Sequence, residues 1–181
     1  MKTTVFLFHP DIKSSKINSL LADGASEQGI EVRNMYELYP NFKFDVEEEH
    51  KVVEKTDRII LQFPIYWYSS PSLLKEWQDV VLTHSWAYGS KGNVLHGKEL
   101  VLAVTAGGEL DEYQHGESVN YRLTELLRPF QATSDLIGTK FIKPFEVYDT
   151  ENLTDEQRQQ YKKEYVEYIT KEELTILDAR D

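Results

Sequence analysis

Cysteine is absent from the 181 residues. That excludes a disulfide framework, a thiolate nucleophile and cysteine-ligated zinc, and it suits a reducing compartment, so the expected location is the cytoplasm. Long apolar runs are missing too: no stretch approaches the ~20 residues that a membrane-spanning helix needs. The opening segment, with Lys2 and a brief apolar run up to His9-Pro10, is too short for a signal-peptide core and lacks a small-residue cleavage site. Positive charge is scarce, with 20 Lys and Arg against 31 Asp and Glu, a net charge of −11 and a pI near 4.9. A phosphate-neutralising surface is therefore lacking, which argues against nucleic acid or anionic membranes as general partners. One helix start and a cation or two still suffice for a small anionic cofactor. Glycine is sparse at 9 residues, and no glycine-rich cradle of the dinucleotide or Walker type occurs.

What is present reads as one domain, residues 1–181, long enough to bury a full core without staples. The run Ile-Ile-Leu-Gln-Phe at 59–63 is short, partly β-branched and bounded by Asp57-Arg58 and Pro64, as expected for a strand covered on both faces. It empties into Ile65, Tyr66, Trp67 and Tyr68, which either contact a planar cofactor or only plug the end of a sheet. Ser70 as cap and Pro71 as first helical residue then open a helix to about residue 82. Nearer the start, a strand at 5–8 leads through His9-Pro10-Asp11-Ile12-Lys13-Ser14-Ser15 to a helix at 16–28 with Ile17, Leu20 and Leu21 on one face. The His9 imidazole, the Ser14 and Ser15 hydroxyls and the free amides of the helix start suit a phosphate. Either serine also serves as an ordinary N-cap.

Further along, residues 30–35 alternate as a strand and 47–55 form a charged helix on which Glu47, Glu48 and Glu49 read as a solvated face without chemistry. An aromatic loop spans 84–89. The apolar strand 100–104 runs into Thr105-Ala106-Gly107-Gly108, where backbone can approach a ligand closely. Tyr113 and His115 stand in the loop 109–118, where movable or catalytic side chains tend to lie. Residues 121–127 are expected to be helical and 135–145 to supply a last strand. Residues 152–169 form a charged helix capped by Thr154, and the tail from 170 has weak helical character.

Five strands alternating with helices predict an α/β fold with a parallel sheet, right-handed crossovers and helices on both faces. In the flavodoxin-like strand order 2-1-3-4-5, the loops after the first, third and fourth strands meet at the switch point where FMN binds.

Several segments together resemble the flavodoxin-like NAD(P)H:quinone oxidoreductases: His9-Pro10 with Ser15 and Asn18 downstream, Pro64-Ile65-Tyr66-Trp67-Tyr68, Pro71-Ser72-Leu73-Leu74-Lys75 and Thr105-Ala106-Gly107-Gly108. Within that family, Tyr36-Glu37-Leu38-Tyr39-Pro40, Trp86-Ala87-Tyr88-Gly89 and Leu95-His96-Gly97-Lys98 look like the bacterial general-stress and glutathione-regulated potassium-efflux ancillary oxidoreductases. The resemblance covers roughly residues 3–170 and implies one FMN per subunit. The phosphate would be held by His9, Ser15, Lys16, Ile17 and Asn18. The ring edge would be held by Pro64, Ile65, Tyr66, Trp67 and Tyr68 and by Thr105, Ala106, Gly107 and Gly108. It further implies a homodimer, supported by aromatic Trp67, Trp86 and Tyr88 in exposed-looking loops. The implied reaction is ping-pong transfer of a hydride from NADH or NADPH and then to a quinone. Tyr113 matches the family's active-site tyrosine, and His115 lies closer to it than in the long mammalian members. Both are candidates to supply a proton to the acceptor. Two alternatives accompany this reading: an ancillary regulatory partner of a potassium-efflux transporter, and an electron-carrier flavodoxin, which the His-Pro loop fits poorly.

Overall fold

The computed structural model describes residues 1–177. Among them, strands β1 (Thr3–Leu7), β2 (Glu31–Asn34), β3 (Arg58–Pro64), β4 (Glu99–Thr105), β5 (Lys140–Phe141) and β6 (Phe145–Val147) form one sheet in the order β2-β1-β3-β4-β5, with β6 also beside β4. Every pairing is parallel. The flavodoxin-like architecture is therefore present with one strand more than expected. The expected last strand, 135–145, divides in two: residues 128–137 are helical, and Pro144, which has no N–H to give a ladder, separates β5 from β6.

The two faces carry separate cores. Helices α1 (Lys16–Glu27) and α7 (Asp155–Thr170) cover one, meeting Val5, Ile60, Val101 and Ala103 through Ile17, Leu21, Tyr165 and Ile169. Helices α3 (Val46–Glu54), α4 (Ser72–Val81) and α6 (Arg128–Ile137), with the short turns α2 (Met35–Leu38) and α5 (Leu123–Leu126), cover Phe6, Phe8, Leu61, Phe63, Leu102 and Val104 on the other. Central strands sandwiched in this way read as near-continuous apolar runs, and β3 is buried along its whole length.

Helix boundaries follow local chemistry. Thr154 caps α7, its hydroxyl accepting from Gln157 N while the Gln157 side chain accepts from Thr154 N. Helix α4 begins one residue later than expected: Pro71 is the N-cap and Ser72 the first helical residue. Helix α6, absent from the expectation, has Pro129 in its first turn and ends at Gly138, whose φ of +74° is the left-handed conformation that glycine adopts without cost. The tail runs extended through residue 177 instead of helical: Lys143 N donates to Thr175 O at 2.8 Å and Leu177 N to Phe141 O at 2.9 Å. The rest of the expected tail, 178–181, lies outside the described residues.

Glu49 departs most from the expected solvated face. Glu47 and Glu48 are exposed, but Glu49 is 0 % exposed and receives Arg33, the Tyr39 hydroxyl at 2.7 Å and the Trp77 indole N–H at 2.9 Å. Its spacing from Val46, Val52 and Val53 turns it to the covered side of α3. A buried carboxylate persists only with such a set of donors.

Candidate functional site

The strand order brings the loops after β1, β3 and β4 to one edge. Ser15 is the N-cap of α1, its hydroxyl oxygen accepting from Asn18 N at 3.1 Å. The cap thereby uses the Asn18 amide. The amides of Lys16 and Ile17, first in the helix, have no intrahelical acceptor and line a cleft of about 320 Å³ with Ser14, Ser15, Thr150 and Glu151. Donors of this kind at the positive end of a helix suit an anion. Glu151 opposes one, so Lys16 and the amides must outweigh it. His9 is buried, and its Nδ1 accepts from Asp11 N at 3.1 Å, which leaves the ring proton on Nε2. Burial pulls its pKa below the usual histidine value, with Asp11 resisting. It is therefore a neutral donor at pH 7.

Asn18 takes a different part from the one expected for it. Its side chain is buried, the Nδ2 donating to Thr105 Oγ1 at 2.9 Å and the Oδ1 receiving Gln62. It joins the phosphate loop to the loop after β4.

After β3, Ile65 N donates to Thr105 O at 2.8 Å, and Tyr66 and Ser69 exchange N–H···O bonds of 3.0 Å each. These close a two-residue turn with Trp67 and Tyr68 at its tip, at φ +49° and +61°. Both central residues at positive φ define the primed turn that glycine and asparagine usually supply. The turn holds up Trp67, 94 % exposed, with Tyr66 and Tyr68 flanking it. Trp86 and Tyr88, expected to be equally bare, are half-buried: Trp86 stacks on His50 with centroids 3.6 Å apart and donates its indole N–H to Glu54 at 2.9 Å.

After β4, Ala106 is buried and its amide is committed to Val147 O at 2.8 Å. A ligand contact through that N–H is therefore excluded. The Gly107 and Gly108 amides have no acceptor among the described residues. Residues 147–150 hold this loop from its other side, Asp149 N donating to Gly108 O at 2.9 Å and Thr150 N to Ala106 O at 3.3 Å. That clamp, and Thr150 on the cleft, lie beyond the last strand the sequence predicts, 135–145, whereas β6 runs on to Val147.

Tyr113 follows a single 3-10 turn, Leu110–Glu112, and packs over Gly108, where a Cβ would come within 3.2 Å of its ring. It is buried, and its hydroxyl has no hydrogen-bond partner among the described residues. Burial raises its pKa, with Tyr68 and Glu112 adding to the effect. Tyr148 meets its ring edge to face, and the Tyr148 hydroxyl donates to Glu146 at 2.9 Å. His115 is exposed, its Nε2 2.7 Å from Glu125 Oε2.

A larger cleft, about 880 Å³, opens at the opposite end of the strands. Its buried cation, Arg58, gives Nε to Glu99 and Nη1 to Ile169 O and Lys171 O, and only its Nη2 has no partner among the described residues. The loop edge brings the unpaired amides of two loops together with His9 and Tyr113, so that edge is the candidate site. Among the described residues no group of three or more His, Asp or Glu side chains is placed to hold a metal ion, and no helix is long and apolar enough to cross a membrane.

A family model described as flavodoxin-like fold matches residues 1–169. General stress protein 14 of Bacillus subtilis is 48% identical over 170 residues, 93% of this chain and 97% of the relative. The uncharacterized NAD(P)H oxidoreductase YrkL of the same organism is 44% identical over 173 residues, 95% of this chain and 99% of its own length. Among solved structures, general stress protein 14 of Treponema denticola in complex with FMN superposes with a TM-score of 0.88 at 34% identity, covering 93% of this chain and 98% of that one.

Proposed function

Because the chain belongs to this flavodoxin-like family, we propose that it is an FMN-dependent NAD(P)H:quinone oxidoreductase of the cytoplasm, working by a ping-pong cycle as a homodimer. The observation that carries the reading is the convergence of two kinds of unpaired donor on one edge, in the fold in which a relative 34% identical holds FMN. The Lys16 and Ile17 amides with His9 Nε2 suit a phosphate, and the Trp67, Tyr68, Gly107 and Gly108 amides suit the edge of a planar ring.

FMN, when bound, supplies the hydride chemistry. The chain's part is to bind and orient it. Donors at Gly107 and Gly108 favour the ring state that carries more negative charge, since fixed dipoles need no reorganisation during the reaction. Pro64 and Ile65, continuous with buried β3, fix the height of the aromatic turn. Tyr113, with a free hydroxyl and a raised pKa, stays protonated through the neutral range and can give a proton to a quinone oxygen. His115 is the second proton-carrying side chain of that loop. The bare Trp67 turn, with exposed Tyr121 and Leu110, is the apolar surface a second subunit would cover.

The experiment is direct. Purified protein should be yellow or become so with added FMN, and should oxidise NADH or NADPH only when a quinone is present in catalytic cycles. Protein that stays colourless and takes up no FMN would overturn the reading. Flavin-bound protein with no hydride oxidation would make it a carrier or a regulatory partner instead.

A further inference from the structure

A buried chain of hydrogen bonds runs from α7 to the site. The Tyr165 hydroxyl donates to Gln62 Oε1 at 3.1 Å, Gln62 Nε2 donates to Asn18 O at 2.9 Å and contacts Asn18 Oδ1 at 3.3 Å, and Asn18 Nδ2 donates to Thr105 Oγ1 at 2.9 Å. All four side chains are buried, Tyr165 and Gln62 completely. The direction of the chain is anchored by main chain. Asn18 O can only accept, so the Gln62 atom facing it must be the amide nitrogen. This puts Gln62 Oε1 toward Tyr165 and requires Asn18 to turn its oxygen to Gln62 and its nitrogen to Thr105. Thr105 Oγ1 is thus an acceptor inside the protein. Its own proton has no acceptor among the described residues, although Thr105 stands at the end of β4 beside the first turn of α1.

Resting on the FMN reading, we propose that Tyr165 and Gln62, through Asn18, set the Thr105 hydroxyl as a donor to an oxygen of the ribityl phosphate arm of FMN. Thr105 lies on the same face of β4 as Val101 and Ala103, the face covered by α1, and its hydroxyl is bonded to Asn18 in the first turn of that helix, beside the Lys16 and Ile17 that line the cleft. Successive hydrogen bonds polarise one another, so a hydroxyl already accepting from Asn18 is a better donor than an isolated one. Tyr165 and Gln62 are positioning residues, because neither reaches the cleft.

The test is titration of flavin-depleted full-length protein with FMN and with lumiflavin, which lacks the arm. Tyr165→Phe should weaken FMN binding by about five-fold, the worth of one hydrogen bond, and leave lumiflavin within about two-fold. Thr105→Val should weaken FMN by about ten-fold and remove the sensitivity to Tyr165→Phe, whereas Thr105→Ser keeps it. Additive losses in Thr105→Val with Tyr165→Phe, or equal losses for FMN and lumiflavin, would reduce the chain to a packing feature. Should Tyr165→Phe fail to fold, Thr105→Val against Thr105→Ser decides the donor by the same FMN and lumiflavin comparison. Wild-type protein that binds no FMN overturns the functional reading itself, and unaltered FMN binding in all variants overturns this inference alone.

Discussion

Tyr113 meets Tyr148 edge to face, their ring centroids 5.5 Å apart. Tyr148 is tied in turn to Glu146, whose carboxyl burial keeps above its usual range. The contact fixes the Tyr113 ring over Gly108 and leaves its hydroxyl free. An edge-to-face pair of this kind contributes about 0.5–1.5 kcal/mol beyond its buried area.

On the proposed reading, removing that hydroxyl should separate proton supply from alignment. Tyr113→Phe keeps the ring contact, so FMN content should not change. The quinone half-reaction should slow by roughly ten-fold or more, while the NAD(P)H half-reaction, which needs alignment more than a proton, should slow much less. Stopped-flow traces of the two decide it. Equal slowing in both would make Tyr113 a positioning residue.

Ser15 caps α1 and, on the FMN reading, serves the phosphate as well. Ser15→Ala removes a cap worth about 1 kcal/mol of stability and, on the FMN reading, a hydroxyl beside the phosphate worth about 1 kcal/mol of affinity. Titrations should show FMN weakened and riboflavin little changed. If wild-type protein binds FMN and riboflavin equally, the loop holds no phosphate.

His9 should make the stability of the protein without added FMN depend on pH. Its folded pKa lies below the ordinary value of 6.5 because burial disfavours the imidazolium. Between the two values the unfolded chain binds more proton, so stability rises with pH there. The full contribution is present above pH 6.5 and is lost as pH falls toward the folded pKa. Urea unfolding at pH 7.5 and 5.5 should show a smaller difference in His9→Gln than in wild type, and identical differences would assign the slope to other groups.

Breaking the Glu49 cluster should cost far more than any change on the exposed face of α3. Glu49→Ala leaves the Tyr39 hydroxyl and the Trp77 N–H in the core without their partner and the Arg33 guanidinium with only Glu31, 3.7 Å away, at about 3–5 kcal/mol. Glu48→Ala should cost about 0.5 kcal/mol or less beyond any change in helix propensity. Urea midpoints at constant slope compare them, and a Glu49→Ala loss under about 1 kcal/mol would mean that water reaches the cluster.

A homodimer should sediment at twice the 21.1 kDa chain mass. Trp67→Ala should shift the balance toward monomer, because an exposed indole at an interface centre is the usual carrier of association energy. Full activity from a monomer at micromolar concentration would remove the dimer from the proposal.

What the sequence discloses here depends on the range of the interaction. The parallel order, β3 and its covered faces, and the Thr154 cap are written in runs of a few residues, so they are legible. Helix α6 was legible as well: Pro129 in the first turn, Phe130, Ser134 and Ile137 on one face, and Gly138 as stop. It was hidden by reading 135–145 as a strand, where the apolar residues are too few and Pro144 interrupts. Glu49 carried half a signal, its position among valines on α3. Its partners come from β2, from Tyr39 just after α2 and from α4, and no local pattern announces that meeting. The donors of the site divide the same way. Loop composition pointed to amides near Ser15 and the glycines, but only the fold shows that Ala106 spends its N–H on Val147, and that Asn18 turns inward to Thr105.

The turn at Trp67 and Tyr68 sets side chain against backbone. Each of the two residues holds a left-handed conformation that costs a residue with a Cβ roughly 1–2 kcal/mol, and an Asn-Gly pair would form the same turn at ease. Exchanging them would make the free chain more stable and strip the site of its exposed rings. The turn can thus be read as a concession: the chain forgoes stability at one place to keep two aromatic surfaces in view of whatever approaches, and the size of that sacrifice is a lower bound on what those surfaces are worth to it.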